Sequence, residues 1–235
     1  MRVILVVYWH PWSTGTGEAR RQLQAMKALV GEQTQTPEWA EIHLCKAPDG
    51  YFGKCPQNHV TGCYETARLS PFGPTRPFVH DLIDLAHSCS REPQTWIGFM
   101  QSDILLRSEF WDRLSKLDSD FEMLVGHRRE LGGEHTELCS PNIDLVMFRT
   151  EIWPYVKPYY PDFVLTDSWW NSCILGLQDR MRLRCARFKN SELLHFEHLT
   201  AEGKDSNVYN TNLIERFDRG GGLIKPTERT ARDTR

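Results

Sequence analysis

An α/β domain with a mostly parallel central sheet flanked by helices is predicted by three features of this 235-residue sequence. It opens strand, loop, helix, strand. Short runs rich in valine, isoleucine and leucine recur without the polar alternation of a half-solvated sheet, and segments with apolar residues at helical spacing separate them.

Taken in order, "RVILVVY" (Arg2 to Tyr8) is the first strand, "WHPWSTGTG" a loop by its proline, glycines and hydroxyls, and "EARRQLQAMKALVG" a helix stopped by glycine. "AEIHLCK" (Ala40 to Lys46) is the second strand. From Ala47 to Pro77 glycine, proline and polar residues predict a long loop, and a loop of that length in a compact domain is functional or mobile. "RPFVHDLIDLAHSC" predicts a helix with Pro77 in its first turn, and "TWIGFM" a strand that runs into Gln101-Ser102-Asp103. A helix "SEFWDRLSKL", a strand "FEMLVGH", a polar loop "RRELGGEHTELCSPN" and a strand "IDLVMFR" follow. The prolines of "TEIWPYVKPYYPDFV" make it more loop than helix. "TDSWWNSCILGLQD" reads as a helix capped by Thr166 or Asp167, and "MRLRCARF" and "ELLHFEH" as late strands. The glycine-rich, charged tail "GGGLIKPTERTARDTR" is expected to be frayed.

The length fits one domain with a sizeable core. A net charge of -3 with both signs interspersed gives no footprint for nonspecific binding to nucleic acid or membrane. No run approaches the roughly 20 apolar residues a membrane helix needs, and the first apolar stretch is too short for a signal peptide. Seven scattered cysteines without a CxxC pair point to free thiols in a reduced, cytoplasmic compartment.

Chemistry is sought at the carboxyl ends of the strands, where ligands bind in open α/β sheets. Asp103 falls there, either as an anion near a helix start or as a ligand. His195 and His198 form an H-x-x-H at the end of a late strand, and imidazole with carboxylate suits a transition divalent ion better than calcium. Asp167, beside Trp169 and Trp170, is an N-cap or a base that deprotonates a hydroxyl. Tyr8, Trp9 and His10 follow the first strand and can border a base, while Arg20 and Arg21 read as solvated helix charges. Neither GxGxxG, GxxxxGK[ST] nor HExxH is present, which disfavours a dinucleotide-binding domain and a helical zinc hydrolase.

The order of these pieces resembles a GT-A-type (Rossmann-like) glycosyltransferase of the nucleotide-diphospho-sugar transferase superfamily, in particular its small bacterial or bacteriophage-like members. The resemblance rests on the β-α-β opening, the D-x-D-like "QSD", the strand "NIDLVMFR" with the downstream "TDSWWN", and the closing "HFEH", and it spans Arg2 to about Asn210. It implies one domain over residues 1–219, with a nucleotide-sugar-binding half (1–103), an acceptor-binding half (104–219) and a flexible tail (220–235). It implies transfer of a hexosyl or pentosyl group from a nucleotide-diphosphate-sugar, a UDP-sugar first, assisted by Mn2+ or Mg2+. Asp103 then matches the metal-binding aspartate, His195 or His198 the late histidine of the metal shell, and Asp167 the base near the acceptor. Tyr8, Trp9, His10, Arg76, Ser102 and Asp103 match the donor-binding region, and Asp144 borders the acceptor or anchors its strand. One position departs: Gln101 stands where a first aspartate is expected, which shifts weight to the histidines or to Arg68, Arg76, Arg128 and Arg129. The implied acceptor is a glycan or polysaccharide, with a hydroxymethylated base in phage DNA as second choice. A noncatalytic nucleotide-sugar-binding module and a metal-dependent hydrolase are the alternatives.

Overall fold

Strands buried on both faces favour side chains without polar atoms, and β1 (Val3–Trp9) supplies them from Val3 to Val7: Val3, Ile4, Leu5 and Val6 have no solvent exposure. In the computed structural model, which describes residues 1–9, 36–46, 62–65, 77–101, 104–127, 129–131, 143–165, 170–188, 192–196 and 204–217, β1 lies inside a seven-stranded sheet. The other members are β2 (Ala40–Lys46), β3 (Gly62–Glu65), β4 (Trp96–Gln101), β6 (Met123–His127), β8 (Ile143–Arg149) and β9 (Cys185–Phe188). Their order is β3-β2-β1-β4-β8-β6-β9. Only β8 runs against its neighbours, pairing antiparallel with both β4 and β6, so the six other strands point the same way. A second sheet of three short strands, β5 (Ile104–Leu106), β7 (Arg129–Leu131) and β10 (Leu193–Phe196), has the order β5-β10-β7.

Alternate residues of the strands feed two cores. On one face Ile4, Val6, Ile97 and Phe99 pack with α1 (Val79–Cys89), α3 (Trp153–Val156), α4 (Trp170–Met181) and Ile214 of α5 (Lys204–Phe217). On the other, Val3, Leu5 and Val7 join Phe110, Trp111 and Leu114 of α2 (Ser108–Ser115). The period of two along a strand separates these sets.

The expected strands at Ala40–Lys46 and Ile143–Arg149 have those limits. Four expectations need correction. The 47–77 loop contains β3, a short edge strand parallel to β2 whose "GCYE" carries no apolar pattern. The loop after His127 contains β7. The proline-rich 150–164 stretch forms α3 and a 3-10 turn, Lys157–Tyr159, because Pro154 and Pro158 occupy first-turn positions where the missing N–H costs nothing. Finally, α4 runs on to Met181 and closes with Arg182 at φ 56, its amide and that of Leu183 bonding Asp179 O and Gln178 O, so β9 starts later than expected. The helix expected within 18–31 lies outside the described residues.

Two packing details hold the sheet and its cover. Gly98 faces β8 so closely that a Cβ there would meet the Val146 carbonyl oxygen and lie 2.7 Å from Met147 Cα. Asp84 of α1 accepts from Trp153 Nε1 at 2.7 Å and Lys157 Nζ at 2.8 Å, with His80 Nδ1 at 3.3 Å. Burial alone would raise this carboxyl, but these three partners outweigh it and hold it well below the usual carboxylate range.

Gly98→Ala should therefore destabilise by more than the roughly 1–3 kcal/mol typical of overpacking, because the obstacle is backbone that cannot rotate away; urea denaturation measures it. Asp84→Ala should cost about 1–3 kcal/mol at neutral pH, since the buried Trp153 indole loses its acceptor. The depressed folded-state value means that the Asp84 contribution is present above about pH 4 and drains away as pH falls toward the lower folded value. The difference in urea midpoint between wild type and Asp84→Ala should accordingly shrink in acid.

Candidate active site at the carboxyl edge of the sheet

The parallel pairing of β1 with β4 sets Tyr8 beside Gln101, so the first strand end and the "QSD" motif reach one edge of the sheet together. Ser102 and Asp103 lie outside the described residues. The chain is next described at Ile104, where β5 has left the large sheet for the small one.

There β10 pairs antiparallel with β5, and His195 stands opposite Ile104, the residue after Asp103. Two motifs about ninety positions apart in sequence are thus brought to adjacent strands. On its other edge β10 pairs parallel with β7, which sets Glu130 in register with His195. The strand β7 itself was not foreseen: three residues among charged neighbours carry no periodic signal.

Specific contacts seat the small sheet. Arg113 Nη1 donates to both carboxylate oxygens of Glu192 at 3.0 Å, its Nη2 donates to Arg187 O at 2.9 Å, and its guanidinium lies 4.4 Å from the Phe188 ring centre. Arg107 N donates to Glu192 O at 3.1 Å. Glu192 is buried, so α2 grips the residue from which β10 begins. Leu193 then fills the space left by Gly126, where a Cβ would lie 2.6 Å from Leu193 Cδ2. The β6–β8 register slips at this point, between Gly126 and His127.

A second convergence lies on the face covered by α1. Phe78 and Val164 form an antiparallel bridge, flanked by Val79 N to Phe163 O at 2.9 Å and Leu165 N to Pro77 O at 2.8 Å. Arg76 immediately precedes one side of this ladder, and Asp167 follows the other side after one residue. Both are outside the described residues, as are His10 and His198.

Tyr8 is 2% exposed and belongs to the core, with burial raising its phenol well above the ordinary tyrosine value. It presents no open stacking face. Trp9 ends β1, one position beyond the Tyr8–Gln101 pair. Asp144 is buried within β8, in keeping with the anchoring role. Among the described residues no group of three or more His, Cys, Asp or Glu is placed to hold a metal ion.

Six co-directional strands with one reversed, and a small sheet continuing from the carboxyl end of β4, make the GT-A fold, that of nucleotide-diphospho-sugar transferases. A candidate nucleotide-diphospho-sugar transferase from Desulfovibrio desulfuricans G20 aligns over 99% of this chain and 95% of its own, with TM-score 0.53 and 13% identity. S. aureus TarS aligns over 91% of this chain with TM-score 0.57 and 12% identity, and this chain spans 39% of TarS. No protein-family model and no curated protein sequence matches. Among the described residues no helix is long and apolar enough to cross a membrane.

Replacing Glu192 by Ala should loosen the seat of β10 and cost about 1–3 kcal/mol, the usual range for losing a buried charged partner. Urea denaturation checks the size, and a cost under about 0.5 kcal/mol would show that Arg113 finds an equivalent acceptor.

Proposed function

We propose that the chain is a glycosyltransferase that moves a hexosyl or pentosyl group from a nucleotide-diphosphate-sugar to an acceptor hydroxyl. The observation that carries this reading is the register of β10 on β5, which brings the H-x-x-H strand to the residue following Asp103 on the ligand-binding edge of a GT-A sheet. Residues 1–219 form its single domain, 1–103 serving the donor and 104–219 the acceptor, with 220–235 as a flexible tail.

Asp103 with His195 or His198 is the donor set proposed for a divalent ion such as Mn2+ or Mg2+, since carboxylate with imidazole suits such an ion, and the pairing of β10 with β5 supports the choice. When bound, the ion supplies Lewis-acid stabilisation to the leaving diphosphate. The chain's own residues do the rest. Trp9 and His10 border the nucleoside, Ser102 bonds the donor, and Arg76 adds positive charge beside the diphosphate. Asp167 accepts the proton of the acceptor hydroxyl as its oxygen bonds to the anomeric carbon and the sugar–phosphate bond breaks, releasing the nucleoside diphosphate. A UDP-sugar is the first donor to try, and a glycan the first acceptor, ahead of a hydroxymethylated DNA base.

The test needs no acceptor. UDP-glucose, UDP-N-acetylglucosamine and GDP-mannose are each incubated with the full chain and Mn2+, and slow release of the nucleoside diphosphate is followed. One donor should be hydrolysed. Asp103→Asn and His198→Ala should remove that activity while the protein stays folded, and Asp167→Asn should slow the same donor hydrolysis, in which water stands in for the acceptor hydroxyl, about 100-fold or more. Donor binding without turnover would instead mark a binding module, and full activity in Asp103→Asn would refute the metal assignment.

A further inference from the structure

Asn210 is fully buried in α5, one helical turn from the buried Ile214, on a face that is otherwise a core-forming one. Its carboxamide Oδ1 accepts from Val164 N at 3.0 Å and its Nδ2 donates to Val164 O at 2.9 Å. These are the two bonds a neighbouring strand would make.

The reason lies in the ladder on the opposite side. Phe163 and Leu165 spend backbone groups on Val79 and Pro77, so in extended chain the N–H and C=O of Val164 between them point the other way. Val164 has no solvent exposure, and buried backbone groups must be paired. A single amide side chain satisfies both at once, where leucine would leave both orphaned.

Resting on the transferase reading above, we propose that Asn210 is a positioning residue for the acceptor side: it fixes Val164 against Phe78, and so the point from which the chain enters the segment containing Asp167. The same clamp fixes Pro77, the residue after Arg76, so α5 holds the ends of two expected site segments in one register. Displacing a base by about 1 Å is enough to slow a reaction about 100-fold, so the clamp bears on rate more than on donor affinity.

The experiment compares the full-length wild type with Asn210→Ala and Asn210→Ser, each verified as folded by circular dichroism, with the serine variant retained should alanine fail to fold. By hydrogen exchange, the peptide spanning residues 160–169 should exchange about ten-fold faster or more in the variants, while β4 keeps its protection. With whichever of UDP-glucose, UDP-N-acetylglucosamine or GDP-mannose the wild type turns over, kcat should fall about ten-fold or more while the donor KM stays within about two-fold. Unchanged exchange in a folded variant overturns the clamp, and faster exchange with unchanged kcat overturns the positioning role. A wild type that turns over none of the three donors refutes the transferase reading, and the positioning role with it, whereas the exchange result still decides whether the clamp exists.

Discussion

The parallel pairing of β1 with β4 is the constraint on which the rest depends. Both strands are buried on both faces, so neither can carry a polar side chain in its interior without a buried partner. Polar residues are displaced to the strand ends, and because the two strands run in the same direction their carboxyl ends coincide, Tyr8 beside Gln101. That the two strand ends meet at one edge follows from burial and direction alone.

The two ends of the sheet are built differently. At the amino end of β1 and β4, charges are matched within the chain: Arg2 Nε donates to Glu41 at 3.0 Å, and the buried Arg149 donates to Gln94 O at 2.8 Å while stacking 4.1 Å above the Trp96 ring. Thr150 Oγ1 closes onto Thr95 O at 2.8 Å. These contacts satisfy backbone carbonyls where strands begin and turns end. At the carboxyl end the described contacts are of another kind. The Arg113–Glu192 pair, the space above Gly126 and the Asn210 amide each fix a segment of backbone.

Elements with a strong internal pattern were legible in the sequence. β2 and β8 have the limits their apolar runs suggest, and α1 follows its spacing of buried Val79, Leu82, Ile83 and Ala86. Elements defined by a partner were not. β3 and β7 are strands because β2 and β10 offer them backbone groups, and their own side chains say nothing of it. Motif neighbourhood was legible as order along the chain, Gln101-Ser102-Asp103 before His195-Phe196-Glu197-His198, but not as contact. Their approach is fixed by the His195–Ile104 register, a nonlocal pairing with no local signature. Tyr8 shows the opposite failure: a tyrosine beside a loop reads as a surface ring, and only the sheet reveals that β1 keeps it inside.

On the proposed reading, Gln101 stands where a D-x-D arrangement would have its first carboxylate. In a D-x-D arrangement both acidic groups come from one strand end, and losing the first removes half of the local charge. Here the small sheet adds strands to that end: β10 lies beside β5 and β7 beside β10, so that Ile104, His195 and Glu130 occupy one row across three strands separated by about 5 Å each. Residues paired across a ladder share a face, so the backbone positions of His195 and Glu130 lie in the row of the buried Ile104. The spacing is set by backbone hydrogen bonds, which are indifferent to the residue at position 101.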